Sequence, residues 1–78
     1  MHLKGTDLNL LVALEALLTE KCVTLAAERL HVTQPAMSNA LKRIRDRFGD
    51  EILVRNGRSL ELTPAAQTMI VPLQEILA

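Results

Sequence analysis

Seventy-eight residues with nine basic and nine acidic side chains, no formal net charge, 49% hydrophobic content and Phe48 as the single aromatic describe one small domain with an aliphatic core. Such a chain lies near the lower limit at which one core holds a fold without disulfides, metal or a partner subunit, and it offers no ring system to stack a cofactor. The lone Cys22 cannot bridge internally, no apolar run reaches the ~18 residues of a membrane span, and Met1 to Gly5 lacks the basic-then-apolar order of a secretory signal. A reduced, cytoplasmic protein without membrane contact is therefore expected.

The zero total hides an uneven distribution. Residues 29–58 hold Arg29, Lys42, Arg43, Arg45, Arg47, Arg55 and Arg58 against Asp46, Asp50 and Glu51, seven against three for a net +4, between flanks of −2 on each side. A segregated positive band is what contact with phosphates requires.

In chain order, Thr6 or Asp7 caps a first helix that runs to about Glu20. Its interior, Leu8 to Leu18, is apolar over more than one face, so Leu10 and Leu14 need a covering beyond the domain core, either the C-terminal helix or a second subunit. Thr24 is expected to cap a second helix that His31 ends, since histidine is among the better-tolerated residues in the left-handed region. Ala26 and Ala27 leave room for a helix to approach closely.

Thr33 then caps a third helix, with Pro35 in its first turn where a missing N–H costs little, and Gly49 stops it. Met37, Ala40, Leu41, Ile44 and Phe48 fall on one stripe at i, i+3, i+4, i+7 spacing. Pro35, Ser38, Asn39, Lys42 and Arg43 fall on the opposite side, with no acid before Asp46. Two short helices joined by a tight turn, the second presenting a polar-to-basic outer face, have the form of a unit that enters a DNA major groove.

Ile52 to Arg55 and Arg58 to Leu62 flank Asn56-Gly57, a strong signal for a two-residue hairpin. That turn pairs Leu53 with Leu60 and sets Arg55 opposite Arg58, an unfavourable meeting unless an anion sits at the tip. A hairpin of this size is marginal alone, and packed on three helices it becomes the wing of a winged helix-turn-helix. Thr63-Pro64 opens a last helix, on which Ala66, Met69, Ile70, Leu73, Ile76 and Leu77 form an apolar stripe still running at Ala78. The stripe reads as cut short, and Pro72 within it predicts a kink.

These residues resemble a known family. The run Leu25 to Ser38 (LAAERLHVTQPAMS), the run Phe48 to Arg55 (FGDEILVR) and Leu62-Thr63-Pro64-Ala65 resemble, in order and over essentially the whole chain, the N-terminal DNA-binding domain of LysR-type transcriptional regulators. Asp7 to Leu11 and Ser38 to Arg43 are similar to the branch containing nodulation and aromatic-catabolism regulators. The resemblance implies a mainly α winged helix-turn-helix over residues 1–62 and a linker helix over 63–78, with an effector-binding region for a small molecule lying outside this sequence. It also implies homodimers built through linker helices, often paired into tetramers, on interrupted palindromes of double-stranded DNA near promoters. Dimerisation is expected to use Leu10, Leu14, Met69, Ile70, Leu73, Ile76 and Leu77.

Within that reading, Gln34 and Ser38 match the family's contacts at the start of the recognition helix and Asn39 a position that often reaches bases, while Pro35 and Ala36 suit a thymine methyl. A glutamine or asparagine can hold adenine through N6 and N7. Thr33 brings a hydroxyl to a phosphate, Lys42 and Arg43 add sequence-independent affinity, and Arg58 with Arg55 meets the minor groove or phosphates from the wing. Against this stand plainer readings: surface polar residues on α-helical ground, and a basic face paired with Asp46 or Glu28. A helical interaction and dimerisation module without DNA binding is the competing function. No paired carboxylates, nucleophile with base, phosphate loop or metal cluster supports an enzyme, and no cofactor or metal ligand is assigned; Cys22 reads as a small hydrophobe.

Overall fold

The computed structural model describes the backbone of residues 6–77 and the side chains of residues 10–77. The expected cap at Thr6 or Asp7 lies outside the described side chains. Seven elements follow one another: α1 (Thr6–Glu20), α2 (Val23–Leu30), α3 (Gln34–Phe48), β1 (Leu53–Asn56), β2 (Ser59–Leu62), α4 (Pro64–Gln67) and α5 (Ile70–Leu77).

α1 is the hub, packing against α2, α3 and α5. Its Leu14, Ala16, Leu17 and Leu18 are buried with Ala26 and Ala27 of α2, Met37, Leu41 and Ile44 of α3, and Ile52, Leu53 and Leu62 of the hairpin region. The alanine pair of α2 thus serves the close approach that its small side chains permit. Truncating Leu17 or Ile44 to alanine would cost ~2–5 kcal/mol, the usual range for such cavities. α5 of the same chain supplies part of the extra covering that α1 requires, and Leu10, Leu14 and Leu73 are buried within the subunit.

The helix ends follow local chemistry. α1 closes through left-handed Lys21 (φ 56), whose N–H bonds the Leu17 carbonyl at 2.8 Å. Lys21 and Cys22 alone separate α1 from α2, so the cap falls on extended Cys22 without a side-chain bond, and Thr24 lies inside the first turn instead of capping it. At the other end His31 adopts φ 58, ψ 41; its N–H reaches Glu28 O at 3.1 Å and the Val32 N–H reaches Ala27 O at 3.0 Å. Those two bonds make a Schellman ending. Thr33 accepts from the Ala36 N–H at 3.2 Å, Pro35 sits in the first turn of α3, and Gly49 (φ 64) stops the helix with its N–H on Arg45 O at 2.8 Å.

Three further expectations give way to the structure. Phe48 does not join the core: the buried stripe of α3 ends at Ile44, and the ring, 43% exposed, lies one turn beyond the last core layer. In the hairpin, Leu53 pairs with Leu62, Val54 with Glu61, Arg55 with Leu60 and Asn56 with Ser59, so the two connecting residues are Gly57 and Arg58. This register sets the two buried leucines directly opposite each other and keeps Arg55 from facing Arg58. Gly57 at φ 67 supplies the positive φ at the first loop position, and Arg58 does not need one.

The last expectation concerns Pro72. Rather than kinking one long helix, the chain breaks it upstream at Thr68-Met69, and Pro72 falls in the first turn of α5, where its missing N–H has no helical acceptor to lose. A continuous helix would drive the proline ring into the Thr68 carbonyl. Turning the chain there removes the clash, and the Thr68 N–H and hydroxyl both bond Ala65 O, at 3.1 and 2.6 Å.

Candidate nucleic-acid interface

α3 turns its apolar side inward through Met37, Leu41 and Ile44. At 100° per residue the direction opposite this stripe passes through Pro35, Asn39 and Lys42. Ser38 lies toward one edge, with Gln34 nearer the stripe but exposed at the start of the helix, and Ala36 and Arg43 lie toward the other. All seven are exposed, as is Thr33 ahead of them. The side chains of Gln34, Ser38, Asn39, Lys42 and Arg43 make no hydrogen bond or ion pair with any described residue. Polar groups held on a rigid helix without internal partners are free to pair with something outside the domain. Thr33 spends its hydroxyl oxygen as the cap acceptor and retains the O–H as a donor.

The basic band is smaller than residue counting suggests. Arg29 bridges Glu15 at 3.1 Å and Glu20 at 3.4 Å, fastening α2 to α1. Arg45 is held as well: its Nε donates to Glu51 O at 2.8 Å and its Nη2 to Leu53 O at 3.0 Å, with the Glu51 carboxylate 3.6 Å away. Both are counted in the basic band of residues 29–58, yet their charge is taken up within the domain. Within residues 29–58, the exposed cations whose side chains make no bond with described residues are Lys42 and Arg43 on α3 and Arg55 and Arg58 on the hairpin.

On the hairpin, strand alternation sets Arg55 on the face that carries Leu53, Leu60 and Leu62, beyond the end of the core, while Arg58 occupies the loop. The opposite face carries Val54, Asn56 and Glu61, and Asn56 Nδ2 donates to Glu61 Oε2 at 2.8 Å. That bond pairs the one acid of the hairpin away from the arginines.

Residue-type reasoning missed the root of the wing. Ile52, expected as the first strand residue, instead centres a γ-turn: its φ is 69 and the Leu53 N–H bonds Glu51 O at 2.7 Å. A left-handed β-branched residue is strained by ~1–3 kcal/mol and persists only where its surroundings over-determine it. Here they do. Ile52 is fully buried, its N–H donates to Asp50 Oδ2 at 2.8 Å, its carbonyl accepts from the Thr63 N–H at 3.0 Å, and Arg45 grips the carbonyls on either side. The Thr63 hydroxyl donates to the same Asp50 oxygen at 2.6 Å while accepting from the Ala66 N–H at 3.0 Å. The available signal was an aspartate directly after the helix-ending glycine, a position suited to bonding a backbone N–H two residues on.

Among the described residues no helix is long and apolar enough to cross a membrane, and no group of three or more metal-ligating side chains gathers. The family model for bacterial regulatory helix-turn-helix proteins of the lysR family matches residues 8–67. The chain is 52% identical over 77 residues to Nodulation protein D 1 of Bradyrhizobium sp. (strain NC92) and equally to Nodulation protein D 2 of Rhizobium leguminosarum bv. phaseoli, covering 99% of this chain and 24% of each relative. It thus spans about a quarter of the curated relatives it matches. Among solved structures, a probable transcriptional regulator from Pseudomonas aeruginosa superposes with a TM-score of 0.85 at 33% identity, covering 96% of this chain and 25% of that one. The BenM domain in complex with catB site 1 DNA gives 0.81 at 25% identity, over 92% of this chain and 81% of that one. The DNA complex of the CbnR domain gives 0.79 at 28%, over 92% and 83%.

Proposed function

The chain belongs to the LysR family of bacterial regulatory helix-turn-helix proteins, and from that premise we propose that it reads double-stranded DNA within a longer, cytoplasmic transcriptional regulator. α3 lies in the major groove. The observation that carries this reading is the row of exposed, internally unpaired polar side chains on α3, Gln34, Ser38 and Asn39 followed by Lys42 and Arg43. Gln34, Ser38 and Asn39 read base edges, Pro35 and Ala36 touch thymine methyls, and Thr33, Lys42 and Arg43 hold phosphates. Arg58, with Arg55 beside it, enters a narrow minor groove or skirts its phosphates. The DNA complexes of the similar BenM and CbnR domains support this reading.

Residues 1–62 serve the DNA, and 63–78 begin the linker and dimer contact. An apolar groove of about 250 Å3 between α1 and α5 is lined by Leu11, Leu14, Phe48, Met69, Leu73 and Ile76, among others. Ile76, which lines it from α5, is 68% exposed. With Leu10, Leu14 and Leu73 already buried, the contact with a second copy falls to Met69, Ile70, Ile76 and Leu77. In the full-length regulator dimers pair into tetramers on an interrupted palindrome near a promoter, and a small-molecule effector binds the remainder of the protein.

Selection of bound sequences from a random DNA pool tests binding, symmetry and half-site spacing together. Recovery of a two-fold site is expected, and an unenriched pool overturns the reading. On the same sample Ile76→Glu should yield a monomer by analytical ultracentrifugation and weaken DNA binding through lost bivalency. Leu73→Glu should unfold the domain instead, because its side chain is buried.

A further inference from the structure

We propose that Asp50 and Arg45 are the positioning residues of the wing, locking its angle to α3 so that Arg58 reaches DNA; this rests on the DNA contact proposed above. The hairpin has four residues in each strand and is joined to the domain at one end. Asp50 Oδ2 spans that open end. It accepts from the Ile52 N–H, just before β1, and from the Thr63 hydroxyl, just after β2. The Thr63 N–H bond to Ile52 O closes the same end between them. Arg45 then fastens this clasp to α3 itself, its guanidinium donating to the carbonyls of Glu51 and Leu53 on either side of Ile52. The left-handed backbone of Ile52 shows that the root is held in one conformation against its local preference.

The sign of the effect separates positioning from contact. Asp50 is an acid beside a surface that meets a polyanion, so by charge alone its removal should tighten DNA binding. A positioning role predicts the reverse. Because both bonds fall on one oxygen, Asp50→Asn can keep them through its amide oxygen, whereas Asp50→Ala loses both.

The test is a cycle of Asp50→Ala and Arg58→Ala in the 78-residue chain, with Asp50→Asn as rescue and affinity measured on one duplex. Each alanine variant should weaken binding roughly tenfold, the size of one groove contact, and the double variant should lose little more than Arg58→Ala alone. Asp50→Asn should stay within about twofold of the unmodified chain. Tighter or unchanged binding by Asp50→Ala, or losses that multiply in the double variant, overturn the proposal. Amide exchange at residues 53–62 of the free protein supplies a readout independent of DNA. It should rise in Asp50→Ala, not in Asp50→Asn, and leave α3 unchanged. Unchanged wing exchange overturns the proposal even if no DNA binds, while raised wing exchange without any DNA binding by the unmodified chain sinks the DNA reading and sustains the clasp. Should Asp50→Ala fail to fold, Arg45→Met runs through the same cycle and exchange measurement; because losing a cation weakens binding by charge alone, the deciding outcomes there are losses that multiply with Arg58→Ala or unchanged wing exchange, either of which overturns the proposal.

Discussion

Arg43 and Arg45 sit two residues apart on α3 with the same charge and opposite surroundings. Arg43 is exposed and makes no bond with a described residue. The guanidinium of Arg45 is spent on the two carbonyls that flank Ile52. The contrast extends to the regions around them. Along the outer face of α3, Gln34, Ser38, Asn39 and Lys42 are likewise unpaired, whereas at the wing root Asp50, Ile52 and Thr63 bond one another. A surface made for an outside partner keeps its donors and acceptors unspent, and one that holds the fold uses them up. Net charge does not separate the two; whether hydrogen-bonding partners within the domain lie in reach does.

The strongest way to break the comparison is to strip the outer face. If α3 reads bases as proposed, Gln34→Ala with Ser38→Ala removes two base contacts of ~1–3 kcal/mol each, so specific affinity should fall on the order of a hundredfold. Circular dichroism and the urea midpoint should not change, since neither side chain has an internal partner. Specific binding that survives would remove α3 from the groove.

Next in size is the wing root. Arg45→Lys keeps the charge and loses the fork that reaches two carbonyls at once. With the side chain 38% exposed, solvent screens part of the loss, and a cost of about 1–2 kcal/mol in urea unfolding is expected. If Arg45 were a phosphate ligand, lysine would serve nearly as well and stability would stay put. Arg43→Ala should behave in the opposite way: stability within about 0.5 kcal/mol, and a plot of log affinity against log salt shallower by about 0.9, one phosphate's share.

Much of this contrast was legible in the sequence because it is local. The cap at Thr33, the left-handed ends at His31 and Gly49, the inward stripe of Met37, Leu41 and Ile44, and the polar residues opposite them each depend on neighbours within a turn or two. So does the family resemblance, which rests on the same runs. The wing was legible in kind but not in register. Asn56-Gly57 and Gly57-Arg58 can both make a tight turn, and the choice falls to Leu62, which pairs with Leu53 only when Gly57 leads the loop. The clasp was not legible, because Asp50 and Thr63 stand thirteen residues apart and meet only once the hairpin has folded back. Arg45 was counted as charge for the same reason, its partners being backbone carbonyls that no side-chain pattern announces. At Pro72 the steric conflict was read correctly, but the chain relieves it four residues upstream, at Thr68, by leaving the helix there.

The smallest expected effect lies at the seam between the two regions, where Gly49 ends α3 and Asp50 begins the clasp. Gly49 holds φ +64, and a Cβ built there would meet nothing within 4 Å, so Gly49→Ala adds no clash. What it adds is the left-handed penalty of ~1–2 kcal/mol for a residue with a Cβ, offset in part by the ~0.4–1 kcal/mol that a less flexible unfolded chain returns. A net destabilisation of about 1 kcal/mol or less follows, visible as a modest shift of the urea midpoint. His31→Gly should shift it the other way, since that residue holds φ 58 with a Cβ already in place. A loss of several kcal/mol in Gly49→Ala would mean that the helix end and the wing root yield together, and that the seam, not the two faces, is the unit on which the domain's DNA geometry depends.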